Sequence, residues 1–191
     1  MENLKHAVSP KLISVLALFT LAVPAAFCQL NSNTASVALH ATLGESLTVA
    51  ATPATVNIPL VSGGTGTGTA PVVITTAWVL SGSRTAVTLV GYFSSATVAL
   101  TNGAATPSNI PTSEVLGQVP TGTPTTFTAF TQTAPLGGAG SGLTLFSQPL
   151  NATNRTNNRT DNLNLQINLA PQPLLPPGTY TGTLNIQAQA L

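Results

Sequence analysis

Few residues of this 191-residue chain could do covalent chemistry. With an N-terminal export segment set aside, the candidates reduce to His40, three carboxylates (Glu45, Glu114, Asp161) and a large supply of hydroxyls. A Ser-His-Asp relay needs an imidazole to take the hydroxyl proton and a carboxylate to orient it. His40 and Asp161 could supply those two parts. No G-x-S-x-G elbow presents a serine to them, however, and His40 falls on the polar phase of its segment, out of step with Val37, Leu39 and Ala41. An exposed histidine is therefore expected, and no catalytic residue is assigned.

Other chemistries lack their residues. Downstream of Cys28 there is no Lys and no Cys, and Arg84, Arg155 and Arg159 balance the three carboxylates to zero net charge. Thiol redox, Cys-ligated metals, Lys Schiff bases and a basic nucleic-acid surface are excluded by composition. One imidazole and three scattered carboxylates have no metal-site spacing, so no metal and no cofactor is expected. The Gly-rich runs 63–68 and 137–142 miss the G-x-G-x-x-G spacing and precede no helix, so they are read as loops rather than phosphate cradles. The protein is not expected to be an enzyme.

The tract Asn151–Asn162 holds three of those six charges and three Asn-x-Thr triplets. A polar loop with local side-chain hydrogen bonds is expected there, and the triplets leave N-glycosylation open. Trp78 lies in the most apolar segment and is expected in the core. The alternative is an exposed sugar platform, which would need Tyr92 and Tyr180 beside it.

The elements that must position these residues follow a period of two. Val37, Leu39, Ala41 and Leu43 alternate with polar or small residues, and Leu47 and Val49 continue the beat. Alternating or β-branched runs recur at 72–80, 85–93, 97–100, 125–131, 143–146, 163–169 and 180–190, bounded by Gly, Pro, Asn and Ser. There is no amphipathic helix of ten residues. Such a chain buries its apolar faces by packing sheet on sheet. The expected fold is all-β: a single immunoglobulin-like, Greek-key β-sandwich of about eight or nine strands, spanning residues 29–191. The Gly/Thr run 62–69 is read as a flexible loop within it.

Residues 1–28 read as a signal peptide. Lys5, His6 and Lys11 make a positive start, the uncharged run Leu12–Val23 is twelve residues long, and Pro24 ends it. A membrane span needs about 20 residues, so an export signal fits and no transmembrane segment remains in the mature chain. Cleavage is expected after Ala25 or Cys28; lipidation of Cys28 is disfavoured because Phe27, not a small residue, precedes it. The location implied is secreted or cell-surface: periplasm or outer-membrane exterior in a Gram-negative host.

Both ends of the mature chain carry a resemblance. Ala35-Ser36-Val37-Ala38-Leu39-His40-Ala41-Thr42-Leu43 and the residues to Pro53 resemble the first strand of spore coat protein U-like and chaperone–usher pilin subunits. Pro176-Pro177-Gly178-Thr179-Tyr180 and the alternating residues to Ala188 resemble their last strand. The cysteine pair that such subunits usually carry, one member near Ser46 or Leu47, is absent. The resemblance implies strand addition: Val37, Leu39, Ala41 and Leu43 would plug a groove formed partly by Leu184 and Ile186 of a sandwich lacking one strand. The function expected is an exported, non-catalytic structural or adhesive surface protein, pilin-like in assembly, with itself or a surface glycan as partner. The alternative is a secreted carbohydrate- or ligand-binding module.

Overall fold

Alternation of β-branched and polar residues produces strands wherever a partner strand is at hand, and the computed structural model, which describes residues 32–191, shows where that holds. In chain order the strands are β1 (Ser46–Thr52), β2 (Thr65–Thr67), β3 (Val72–Val79), β4 (Ala86–Tyr92), β5 (Leu100–Thr101) and β6 (Asn109–Ile110). They continue with β7 (Val115–Gln118), β8 (Thr128–Ala129), β9 (Gly142–Pro149), β10 (Thr156–Asn168) and β11 (Asn185–Ala190). Seven of these have four or more residues and carry the fold; β2, β5, β6 and β8 have two or three. A 3-10 turn at Thr112–Glu114 is the one helical piece among the described residues.

The strands form antiparallel sheets packed as a sandwich, the all-β architecture expected from the pattern. One sheet has the order β1-β3-β10-β7-β8, with β2 also on β10. The second has the order β11-β4-β9, and β5 pairs β6 as a short ribbon. Inner faces read directly off the period of two. Val72, Ile74 and Trp78 of β3 and Leu163, Leu165 and Ile167 of β10 face Val87 and Leu89 of β4 and Leu143 and Leu145 of β9, all buried. Phe130, fully buried, sits at the centre. Gly91 and Gly117 flank its ring: a Cβ on either would stand 3.1 Å from a Phe130 ring carbon, close enough that the ring would have to shift. Phe93 meets the same ring edge-on, with centroids 5.3 Å apart.

Several segments differ from the sequence reading: β7 (Val115–Gln118) is a strand that no alternating run indicated, and the runs at 97–100 and 125–131 shrink to the two-residue strands β5 and β8. The alternation over 37–43 is not a strand: residues 32–45 are coil, and the first strand begins at Ser46. A β-strand is stable only with a ladder partner, and period two says nothing about whether one exists. The tract 151–162 is a loop only to Arg155; Thr156–Asn162 is the first half of β10, in register with Val73–Val79 of β3. Its Asn and Thr side chains are exposed, where polarity is tolerated, and pairing with β3 outweighs their weak strand propensity. The Gly/Thr run is ordered at its centre. Gly66 pairs with Ile167 and is buried, and a Cβ on it would lie 2.3 Å from the Pro59 carbonyl oxygen.

The export segment and Cys28 lie outside the described residues. No helix among the described residues is long and apolar enough to cross a membrane.

Candidate functional site

A concavity of the sandwich lies between two sheet edges. β1 hydrogen-bonds only to β3 and β11 only to β4, so each is an edge strand, and the two approach one another without forming a ladder. Where they diverge, a cleft of about 330 Å³ opens into the space between the sheets. Val56 and Ile58, from the segment after β1, form one wall; Leu184 and Ile186, entering β11, form the other; Val115 and Ile167 lie at its floor. The volume is at the small end of the about 300–1,000 Å³ usual for ligand pockets. These six side chains are apolar, and Thr55 and Thr183 add hydroxyls to a lining that is otherwise mostly apolar.

Leu184 and Ile186, which the resemblance implies as part of an acceptor groove, line this cleft. Val37, Leu39, Ala41 and Leu43 are in coil, and the three larger ones are 81%, 90% and 86% exposed. Apolar side chains of that size at alternate positions, all in water, are unusual for a segment of this regularity.

Charged groups serve the frame. Glu45, at the start of β1, accepts from the Ser81 backbone N–H at 2.7 Å and pairs with Arg84 at 2.9 Å. The guanidinium and the Ser81 contacts hold its carboxyl down at about 2. This favours the folded state above the ordinary value of 4.5 and is lost only as pH falls towards 2. Arg155 donates to the carbonyls of Ser81 and Arg84, fixing the β3–β4 turn from below. Arg159 forks onto Asp161, Nε to Oδ2 at 2.6 Å and Nη2 to Oδ1 at 2.8 Å, while Thr121 Oγ1 also donates to Oδ1. Both Asp161 oxygens are thus engaged by Arg159 and Thr121. His40 is exposed, and no group of three His, Cys, Asp or Glu residues that could hold a metal occurs among the described residues.

The aromatics do not form a platform. Trp78 is 2% exposed and its indole N–H donates to the Asn154 carbonyl at 2.8 Å. Tyr92 donates to Gln187 Oε1 and lies against Gly137, and Tyr180 donates to the Pro176 carbonyl. Gly137 has φ +87°, a conformation that suits glycine, so the Gly-rich run 137–142 is a tight turn over Tyr92.

Glu114 was not singled out by sequence, since nothing around it departs from a polar loop. It is 5% exposed, and its Oε2 has no hydrogen-bond partner. Burial pushes its carboxyl above the ordinary 4.5. The proton is therefore held more tightly in the folded state, so Glu114 favours folding below pH 4.5, and that contribution is lost as pH rises through its elevated folded value. Glu114→Gln is expected to gain stability over the native chain as pH rises from 4.5 to 7.5, by about 1–3 kcal/mol, the cost of an unsatisfied buried group. Urea titrations at each pH measure the gap; one that stays constant or narrows contradicts the assignment.

Compared with protein-family models, curated proteins and solved structures, the chain matches none. The fold and the cleft define the class on their own: an all-β sandwich with an apolar cleft between unpaired sheet edges.

Proposed function

We propose that this chain is an exported, non-catalytic structural subunit that assembles with copies of itself by strand addition. Residues 35–43 of one copy would lie along the β1/β11 edge of the next, with the apolar phase Val37, Leu39, Ala41 and Leu43 directed at the cleft. The observation that carries this reading is the near-complete exposure of Val37, Leu39 and Leu43 at alternate positions in a chain whose sandwich has an open apolar cleft. Burying each such side chain contributes about 1.5–3 kcal/mol, and the unpaired backbone of an edge strand supplies the ladder. Zero net charge past Cys28 allows like subunits to pack without burying unpaired ions.

The positions of donor and acceptor along the sandwich support a head-to-tail mode of assembly. The chain enters the sandwich at Glu45, beside the Ser81–Arg84 turn, whereas Leu184 and Ile186 lie at the opposite end, level with Tyr92. Six strand steps of about 3.3 Å put roughly 20 Å between them. Donor and acceptor at opposite ends favour a heterologous contact, which propagates wherever its rotation does not close a ring.

Deleting residues 29–43 tests the reading. The truncated sandwich is expected to stay folded, to lose self-association by analytical ultracentrifugation, and to bind a synthetic 35–43 peptide. If the full-length chain is monomeric at high concentration and the truncated chain unfolds even with peptide present, strand addition is wrong. The same cleft supports a second reading, a binding module for a small apolar ligand. In that case an apolar fluorescent probe binds the full-length monomer and the peptide does not displace it.

A further inference from the structure

We propose that Asn151 is an acceptor site for an N-linked glycan, and that the fold removes the other two triplets, at Asn154 and Asn158, from that chemistry. The inference is independent of strand addition and needs only that the chain be exported. In the transfer, Asn Nδ2 bonds to C1 of a sugar as the bond from C1 to the diphosphate of a polyprenyl-diphosphate oligosaccharide breaks. The amide proton goes to a base of the transferase, and no electrons are exchanged. The acceptor nitrogen must be free, and the triplet must bend so that the Thr hydroxyl reaches the Asn amide; such triplets act in surface loops.

The three triplets differ in these respects. Asn151 is exposed in the turn between β9 and β10. Its Oδ1 accepts from both the Thr153 backbone N–H at 2.9 Å and the Thr153 hydroxyl at 2.7 Å. That is the bent form, and Nδ2 is left without a hydrogen-bond partner among the described residues. Asn154 is half-buried with both ends of its amide in use: Nδ2 donates to the Pro149 carbonyl at 2.9 Å, and Oδ1 accepts from the Asn151 N–H at 2.8 Å. Asn158 is exposed but sits within β10 opposite Ala77 of β3. Bending that triplet would break ladder bonds, and its Thr160 hydroxyl already lies 3.4 Å from the Thr75 hydroxyl. Asn151 also lies at the Ser81 end of the sandwich, so a glycan there leaves the cleft at Leu184 and Ile186 uncovered.

The test uses the folded full chain with a single-subunit oligosaccharyltransferase of relaxed upstream specificity and a polyprenyl-diphosphate oligosaccharide, alongside urea-denatured chain diluted into the same reaction. Sites are mapped by peptide mass spectrometry. The folded chain is expected to carry one glycan, on Asn151. It should be lost in Thr153→Ala, kept in Thr153→Ser and unaffected by Thr160→Ala, while the denatured chain accepts at all three sites. A glycan on Asn154 or Asn158 of the folded chain overturns the proposal, as does an unmodified folded chain in a reaction that glycosylates the denatured one.

Discussion

Trp78→Ala is expected to lower stability by about 3–5 kcal/mol, the range for truncating a large buried aromatic. The ring is 2% exposed on the inner face of β3, in the same row as Val72 and Ile74. Its N–H also holds the Asn154 carbonyl, and Asn154 in turn closes the β9–β10 turn through Pro149 and Asn151. Truncation therefore opens a cavity and orphans a carbonyl together. Trp78→Phe separates the two: it keeps most of the packing and loses one hydrogen bond, for about 0.5–1.5 kcal/mol from the bond. Urea unfolding followed by circular dichroism gives both values. Because Trp78 is the chain's single tryptophan, native emission reports this site alone and is expected to be blue-shifted, moving red on unfolding. Emission like that of free indole, with no loss of stability in Trp78→Ala, would falsify the core placement.

Asp161→Ala is the second large effect, expected at about 2–4 kcal/mol. Breaking a buried ion pair strands the remaining charge, at about 3–5 kcal/mol when both partners are buried. Here Asp161 is 1% exposed but Arg159 keeps 25% of its side chain accessible, which lowers the expected cost. The guanidinium also stacks on Phe146, 4.6 Å from the ring centroid, and its Nη2 donates to the Thr121 carbonyl. Loss of Asp161 therefore also loosens the 119–124 loop from β10. Replacing both partners, Arg159→Met with Asp161→Leu, is expected to recover most of the loss, since a well-packed apolar pair of similar volume is often neutral or better. A double variant as unstable as Asp161→Ala, or a single variant within 0.5 kcal/mol (~) of the native chain, counts against a compensated buried pair.

Both effects involve at least one partner remote in the chain, and this separates what could be read early from what could not. The inner row Leu163, Leu165 and Ile167 was legible because each residue obeys the period of two. Asp161 continues the same row and is buried with it, yet its charge and its neighbours Asn157, Asn158 and Asn162 read as a loop. Its guanidinium partner is two residues away, but the Thr121 hydroxyl that also donates to it is 40 residues distant. The candidate site was legible in halves. Leu184 and Ile186 were named from the alternation and resemblance of the last segment, whereas Val56, Ile58, Val115 and Ile167 reach the cleft only through the packing of two sheets. Glu114 left no trace, because a carboxylate in a loop sequence is ordinarily solvated.

Residue types and spacing by themselves determined that the chain is all-β, that Trp78 belongs to the core, and that the part beyond Cys28 lacks the residues for thiol, Lys and phosphate-loop chemistry. These follow from side-chain chemistry and from the two-residue repeat of a strand, both local properties. Tertiary structure alone decided which alternating runs become strands. Val37–Leu43 and Leu47–Ala51 carry the same beat, yet only the second forms a ladder, with β3. Periodicity determines which side chains share a face. The backbone hydrogen bonds that turn that face into a sheet come from residues far along the chain, and only the folded arrangement of β3, β10 and β11 settles which segment receives them and which is left exposed.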